Sequence, residues 1–330
     1  MPITSYTRFG METPHNKNRT VFSKRPKLRR FAEYSRENFV GDPNEVTDKP
    51  GFRGVNIHVH NGCNLACRGC NHNSQVLAPG SGVDVDQMIS DCESIIPRIH
   101  VWGHISLVGG EPLLEPRWSE LLTRIEELAN CRIKFYSNGI LLHKHKEKIV
   151  EHMKRGTILK LSMHVSPYSA KGQLIYKNVE DFIEYAKDKV NLQECLEVSE
   201  QWEDKWFDML KWEEGKFYPH EDNDLDKSWS FCTCPQMQIY RGHLWKCAGI
   251  AYLEETLAAT GQSDDEVWEK YLKYKPTPVD APIEDIYKMS DTQWKKHSIC
   301  NMCPADPNYF YANKQLDVRK TVVHQFDDPV

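Results

Sequence analysis

The chain has 330 residues, which is long enough for one large domain and a smaller one. Hydrophobic residues make up 40% and charged residues 27% of the total, ordinary values for a soluble enzyme, and the net charge of −5 does not suggest a nucleic-acid partner. No segment is apolar enough to be a signal peptide or a membrane span, so we expect a cytoplasmic protein that does not contact a membrane.

The first fifty residues contain no predicted strand or helix. They include a strongly basic run at 15–31, and we interpret residues 1–50 as a solvated basic N-terminal extension. An arm that binds an acidic substrate or partner is the alternative.

From residue 54 to about 200, short apolar runs alternate with amphipathic stretches. The short runs predict strands at 54–60, 104–110, 132–139, 158–165 and 192–198. Apolar residues at three-and-four spacing predict helices at 83–99, 117–130, 142–155 and 179–189, and Asp84 is placed to cap the first of them. Alternation of this kind predicts parallel βαβ units.

The predicted strands have one polar face. In the first strand Asn56, His58 and His60 alternate with Ile57 and Val59. A parallel sheet covered by helices on both faces is apolar on both, so a polar face predicts a lumen that holds a polar ligand. We therefore predict an α/β fold, a partial (β/α)6 TIM-like barrel over residues 51–227.

After residue 200 the composition becomes aromatic and charged, which we interpret as an excursion around the barrel mouth. The stretch 236–247 predicts a β-hairpin that turns at Arg241-Gly242, and 264–274 predicts a helix. We predict a small hairpin-plus-helix domain at 228–312 and a peripheral tail at 313–330.

Eleven cysteines in a reducing compartment do not indicate a disulfide framework. Three of them, Cys63, Cys67 and Cys70, share one short loop after the first strand. A structural zinc ion wants four protein ligands, whereas three thiolates on one loop suit one face of a cubane iron–sulfur cluster. The fourth iron would then be open to a small molecule. A partial zinc knuckle is the alternative.

The spacing Cys63-x3-Cys67-x2-Cys70 after the first strand resembles the cluster loop of the radical S-adenosylmethionine (SAM) superfamily. The resemblance implies a [4Fe-4S] cluster whose open iron is chelated by SAM. It also implies an electron donor of the flavodoxin or ferredoxin type. Reductive cleavage of SAM in that family gives a 5′-deoxyadenosyl radical, which abstracts a hydrogen atom from the substrate.

Further motifs resemble SAM-binding segments of that family at successive strand ends. The resemblance implies cofactor contacts from GGEP, from YSNG and from the end of the fourth strand, namely Gly109, Gly110, Glu111, Pro112, Ser137, Asn138 and Ser162. Glycines let a ligand approach the backbone, and Glu111 could accept hydrogen bonds from an ammonium group. The chain departs from the family at Gly69, where an aromatic residue normally precedes the third cysteine, so Asn71 or His72 could contact the adenine instead.

A second cysteine group comprises Cys232, Cys234, Cys247, Cys300 and Cys303. Its spacing resembles the Twitch module, the shortened form of the SPASM extension, which implies an auxiliary [4Fe-4S] cluster with four cysteine ligands. Cys232 fits the family spacing better than Cys234, although either could bind. A four-thiolate zinc site is the alternative.

The remaining candidates concern the substrate. Cys195, Glu197 and His164 are predicted catalytic residues, with Cys195 on the polar face of the fifth strand as a possible hydrogen-atom donor. His58, His60 and Lys160 are expected to line the cavity or to make structural hydrogen bonds. The isolated Cys92 and Cys131 are interpreted as structural.

The sequence therefore predicts a radical SAM enzyme that oxidises or epimerises a small polar molecule such as a sugar or cyclitol. The small-molecule preference rests on the short stretch of about fifty residues before the first strand. A radical SAM enzyme that modifies a peptide is one alternative. A non-catalytic zinc or iron–sulfur binding module is another.

Overall fold

The computed structural model describes residues 48–78, 82–201, 204–221, 224–232, 236–293, 295–311 and 313. Most of the predicted basic extension, nearly all of the predicted tail, and Cys234 lie outside these residues, so the predictions about them stay untested. None of the helices in the described part of the chain has the length and apolar character of a membrane span.

Five parallel strands in chain order form the centre of the main sheet. They are β1 Gly51–His58, β2 His100–Val108, β3 Arg132–Ser137, β4 Ile158–Met163 and β5 Leu196–Glu200, each hydrogen-bonded to the next. The connecting helices are α1 Val85–Ile95, α2 Trp118–Leu128, α3 Leu142–Lys154, α4 Ala170–Ala186 and the short α5 Leu192–Cys195. The predicted alternation of strands and helices is confirmed.

Local capping explains where the helices begin. The Asp84 side chain accepts a hydrogen bond from the Gln87 amide at 3.0 Å, as predicted for α1. Ser169 caps α4 through the Gly172 amide, so this helix begins nine residues earlier than its predicted start at 179. The prediction that 192–198 is all strand is wrong in its first half, because Asn191 caps a helical turn that ends at Cys195.

The register of the strands confirms the polar lumen. Asn56 of β1 pairs with Ser106 of β2, which pairs with Lys134 of β3, while Lys160 of β4 pairs with Glu197 of β5. The alternate residues of these strands are apolar and belong to one continuous core under the helices. The molecule is therefore a partial barrel with a polar interior and an apolar outer face.

The predicted hairpin forms but belongs to the barrel. Strands β9 Met237–Tyr240 and β10 His243–Trp245 turn at Arg241-Gly242, whose φ angles of 48° and 73° are those of a tight hairpin turn. Strand β9 pairs in parallel with β1, and β10 pairs with β11 Thr277–Pro278. The predicted boundary at 228 falls inside a helix, and the hairpin beyond it extends the barrel sheet, while the division into domains stays a prediction.

The other described elements are two small sheets and several short helices. Two small sheets comprise β6 Lys205–Phe207 with β12 Tyr309–Tyr311, and β7 Lys211–Glu213 with β8 Lys216–Tyr218. The remaining helices are α6 Leu225–Ser230, α7 Ala248–Ala251, α8 Leu253–Ala259, α9 Glu269–Leu272 and α10 Ile283–Thr292. Single 3₁₀ turns lie at Ile96–Arg98, Pro112–Leu114, Glu266–Trp268 and Ser298–Met302, so the helix predicted at 264–274 is two short turns. A second apolar core joins 76–77 to residues between 210 and 302.

Candidate active site

The loop with Cys63, Cys67 and Cys70 begins just after β1 and is fixed to the end of β2. The Gly110 amide donates to the His60 carbonyl at 2.7 Å, and the Glu111 amide donates to the Gly62 carbonyl at 3.0 Å. The two segments that the sequence singled out separately therefore form one hydrogen-bonded unit at the carboxyl edge of the sheet.

Two glycines make this contact possible. A Cβ atom on Gly110 would lie 1.8 Å from the Gly62 carbonyl oxygen, and one on Gly109 would lie 2.5 Å from that of His60. Gly109 also has φ of 151°, which disfavours other residues. The glycines were predicted to admit a ligand. In the structure they admit the backbone of the cysteine loop.

Glu111 holds the ends of β2 and β3 together. Its carboxylate is buried and accepts hydrogen bonds from the Ser137 hydroxyl at 2.9 Å, the Asn138 amide at 2.8 Å and the Leu113 amide at 3.1 Å. Burial raises the pKa of Glu111 to about 7, although these donors oppose the rise. Pro112 opens the 3₁₀ turn that Glu111 caps. The predicted ammonium contact of Glu111 stays a prediction.

Asn138 connects YSNG directly to the cysteine loop. Its side-chain amide donates to the Asn64 Oδ1 at 2.7 Å and lies 3.7 Å from the Cys63 sulfur. Its Oδ1 accepts from the Ile140 amide at 3.0 Å, which fixes the orientation of the side chain. Asn64 was not predicted as a site residue. The one feature of the sequence that could have indicated it is its position next to Cys63.

The three thiols suit a metal cluster. Burial raises the pKa of Cys63, and neighbouring Cys67 and Glu111 raise it further, so a bound cation is needed to keep it a thiolate. The Leu65 amide donates to the Cys63 sulfur at 3.4 Å. Burial also raises the pKa of Cys70, although backbone amides that donate to its sulfur oppose the rise. Amides directed at thiolate sulfurs are a feature of iron–sulfur sites, so these residues fit the cluster that the spacing implies.

Gly69 lies under a cover made by β6 and β12. It has φ of 75°, and a Cβ atom there would lie 2.9 Å from the Phe310 ring and 3.0 Å from the Phe207 carbonyl. Arg68 beside it pairs with Asp208 and stacks on Phe310 at 4.4 Å. Protein atoms fill the space that a side chain at this position would occupy, and the predicted cofactor contact of Gly69 stays a prediction.

His72 belongs to a buried ring cluster in the lumen. It stacks on His58 with ring centroids 5.6 Å apart, and on Tyr252 at 5.2 Å. Burial lowers the pKa of His72 to about 4, and its Nε2 has no hydrogen-bond partner among the described residues. The side chain is thus a neutral ring with one free ring nitrogen, consistent with its predicted place in a cofactor site.

His164 and Ser162 lie at the end of β4, as predicted. The His164 ring meets the edge of the Trp206 ring at 4.4 Å, and burial lowers its pKa to about 4. Its Nδ1 is buried without a partner in the described part of the chain. Ser162 pairs in register with Ser199 of β5 on the lumen side.

Cys195 lies away from this site. It ends the short helix α5, before β5, whereas the cysteine loop and the glycines follow their strands. Its thiol is buried in the main core and contacts the Asn191 carbonyl at 3.1 Å. The prediction of Cys195 as a lumen hydrogen donor is therefore wrong, because the alternation it relied on fails where residues 192–195 are helical. Cys92 is fully buried in the core and Cys131 is half-buried, as expected.

Glu197 is positioned inside the barrel by two lysines. Lys134 donates to its Oε1 at 2.7 Å, and Lys160 lies 3.1 Å from its Oε2. Burial alone would raise the pKa of Glu197, but Lys160 and Lys134 outweigh it and the pKa is lowered. The two lysines favour the ionised form of this carboxylate, and the predicted catalytic role of Glu197 stays a prediction.

Replacing Glu197 tests this ion pair. We expect Glu197→Gln to reduce the free energy of unfolding by roughly 3 kcal/mol, because two partly buried lysines lose their counter-charge. The lowered pKa means that the difference from wild type is full above the ordinary glutamate pKa of about 4.3 and shrinks at lower pH. Urea unfolding at several pH values measures it, with Glu184→Gln, an exposed glutamate paired with Lys187, as the control. An equal, small effect of both variants would contradict the expectation.

A second group of cysteines surrounds one enclosed cavity. Cys232, Cys247, Cys300 and Cys303 all line it, next to Trp229 and Lys246. Burial raises the pKa of Cys247, and Cys232 and Cys300 raise it further. The His297 amide donates to the Cys300 sulfur at 3.4 Å. The structure thus brings together four of the five predicted ligands, and Cys234 lies outside the described residues.

The thiols of the second group form a potential ligand set for a metal centre. Among the described residues, no three Cys, His, Asp or Glu side chains converge closely enough to hold a single metal ion. Four thiols around one cavity are the usual ligand set of a [4Fe-4S] cluster and of a structural zinc ion. The cavity supplies the donors for either.

A family model matches the part of the chain that contains the first site. Residues 57–192 match the model of the Radical SAM superfamily, a stretch that includes the cysteine loop, GGEP and YSNG. This part of the chain is similar to a radical SAM domain, and the likeness supports an enzyme. The family implies a [4Fe-4S] cluster, SAM, a reductant and a substrate. The match covers less than half of the chain, and no curated protein matches the sequence.

Solved structures with a similar arrangement are distant. BtrN, solved in complex with AdoMet and 2-DOIA, is 15% identical with a TM-score of 0.43, and the match covers 80% of this chain and 95% of BtrN. The enzyme anSMEcpe with bound AdoMet is also 15% identical, with a TM-score of 0.38 over 77% of this chain and 88% of that one. SuiB of Streptococcus suis is 12% identical, with a TM-score of 0.31 over 68% and 69%. Likenesses at this distance say nothing about the substrate.

Proposed function

We propose that this protein is a radical SAM enzyme with an auxiliary [4Fe-4S] cluster, which oxidises or epimerises a small polar molecule. Cys63, Cys67 and Cys70 hold the first cluster, and Cys232, Cys247, Cys300 and Cys303 hold the second in a Twitch-like arrangement. A flavodoxin- or ferredoxin-type protein is the proposed electron donor. The proposal rests chiefly on the hydrogen-bonded unit that joins the cysteine loop to GGEP and YSNG.

The residues of this unit act by positioning. Gly110 and Glu111 fix the cysteine loop through its carbonyls, and Asn138 directs an amide at Cys63. When bound, SAM supplies a 5′-deoxyadenosyl radical that takes a hydrogen atom from the substrate. His72, His58 and Tyr252 close the lumen beside the loop, and such a water-poor wall protects a reactive species from solvent.

The polar lumen supports a polar substrate. Asn56, Ser106 and Lys134 lie side by side on its wall, and Ser162 pairs with Ser199 near the mouth. Groups of this kind bind hydroxyl, amino or acidic functions by hydrogen bonds. The four thiols around the second cavity support the auxiliary cluster. That cluster would accept the electron that the substrate radical loses as it is oxidised, or it would hold the substrate in place.

Anaerobic purification tests the proposal. We expect about eight irons per chain, from two [4Fe-4S] clusters, and formation of 5′-deoxyadenosine from SAM in the presence of dithionite. The double variant Cys247→Ala/Cys300→Ala should keep about four irons and still cleave SAM. Colourless wild-type protein that contains zinc would contradict both clusters, and full iron content in the double variant would contradict the second site alone.

A further inference from the structure

Among the described residues, two lysines meet one buried carboxylate inside the barrel. Glu197 is 1% exposed, and its two oxygens contact the ammonium groups of Lys134 and Lys160. The group brings two positive charges and one negative charge together. Ammonium groups in a protein interior are stabilised further when another anion joins them.

The neighbouring residues add to the positive charge. The His104 ring is close enough to four charged side chains to be influenced by them. Three of these are cations and one is a carboxylate, namely Lys134, Lys160, Arg53 and Glu197. His104 itself remains neutral, because burial and Lys134 lower its pKa to about 4. Its Nε2 lies 3.1 Å from the Gln236 side-chain amide, which brings no charge.

Polar groups without partners face the same part of the lumen. Ser106 pairs in register with Lys134, and Asn56 pairs with Ser106, so the three side chains lie in a row across β3, β2 and β1. Ser106 is fully buried and Asn56 is 7% exposed. Among the described residues, neither the Ser106 hydroxyl nor the Asn56 Oδ1 has a hydrogen-bond partner. A buried hydroxyl without a partner indicates a missing water or ligand.

The two lysines lie at mid-depth in the barrel. Lys134 and Lys160 are each 12% exposed, so neither side chain is completely enclosed. Lys134 is the third residue of β3 and stands three residues before its end, or about 10 Å below the edge that carries the cysteine loop. A molecule anchored here would extend towards that loop.

We propose that Lys134 and Lys160, with the Ser106 hydroxyl, bind an oxyanion of the substrate, a phosphate or a carboxylate, in the middle of the barrel. The anion adds a second negative charge beside the two lysines, and it accepts hydrogen bonds from two ammonium groups and one hydroxyl. This inference rests on the proposed function, because it adds an acidic group to the polar substrate proposed there. The experiment that tests it does not require SAM cleavage.

Anion binding to the cluster-containing protein tests the site. Inorganic phosphate and acetate are titrated separately into the protein by calorimetry, and sodium chloride keeps the ionic strength constant. We expect saturable binding of one of them to wild type, and the preferred anion assigns phosphate or carboxylate. Lys134→Met should weaken it roughly tenfold or more, as expected when one charge-assisted contact is lost. Lys160→Met, as an independent variant, should act in the same direction.

The control variant is Lys177→Met, which removes an exposed lysine paired with Asp181 and makes the same change in net charge. It should bind the anion as wild type does. Equal binding by wild type, Lys134→Met and Lys160→Met would overturn the proposal, as would the absence of saturable binding to wild type. Formation of 5′-deoxyadenosine is measured separately. Loss of that activity with anion binding intact would therefore count against the proposed function and not against this site.

Discussion

The triple variant Cys63→Ala/Cys67→Ala/Cys70→Ala is expected to form no detectable 5′-deoxyadenosine. The three thiols come from one loop fixed to GGEP, and nothing else in that loop has a side chain that binds iron as thiolate does. The iron content should fall from about eight to about four per chain, because the second cysteine group is untouched.

The matched control for this variant is Cys131→Ala. Cys131 is an isolated, half-buried cysteine outside both groups, so its replacement should leave iron content and SAM cleavage unchanged. Anaerobic iron analysis and chromatography of the products give the two readouts. SAM cleavage that survives in the triple variant would refute the assignment of the first cluster.

Gly110→Ala is expected to damage the same site without removing a ligand. The new Cβ would lie 1.8 Å from the Gly62 carbonyl oxygen and 2.4 Å from the Gly62 carbonyl carbon. Both are backbone atoms, so no side-chain rotation can relieve the clash. The cysteine loop must therefore move. We expect a loss of about 1–3 kcal/mol in the free energy of unfolding, typical of overpacking, and a fall in SAM cleavage of at least tenfold.

Gly51→Ala provides the control, because a Cβ there meets the Trp102 ring at 3.6 Å, an ordinary contact. It should retain normal iron content and cleavage. Urea unfolding, iron analysis and 5′-deoxyadenosine formation are compared for the two variants. A Gly110→Ala protein as active as Gly51→Ala would show that the loop does not need its close contact with GGEP.

Local patterns in the sequence predicted much of the barrel correctly. The alternation of Asn56 and His58 with apolar neighbours indicated the polar lumen, because a two-residue period fixes which side chains share a face. The Asp84 cap and the Arg241-Gly242 turn were also predicted correctly, because each depends on residues that are close together in the chain. The sequence missed the turn of helix at 192–195, where apolar spacing fits a strand and a helix about equally well.

Contacts between distant residues could not be predicted in this way. The space that a side chain at position 69 would need is filled by Phe310, about 240 residues later in the chain, so only glycine fits there. The hairpin was predicted as a separate unit, yet β9 extends the barrel because its backbone groups pair with β1. The proximity of Asn64 to Asn138 likewise depends on how two strand ends meet.

By itself the sequence determined that three thiols share one loop, and the spacing of Cys63, Cys67 and Cys70 limits what they can bind. It also determined the polar and apolar faces of the strands. Only the tertiary structure decided that four later cysteines line one cavity, that GGEP supports the cysteine loop, and that two lysines share one carboxylate in the lumen. The physical reason is that periodicity and spacing record local conformation and burial, whereas these arrangements depend on which strands and loops pack together.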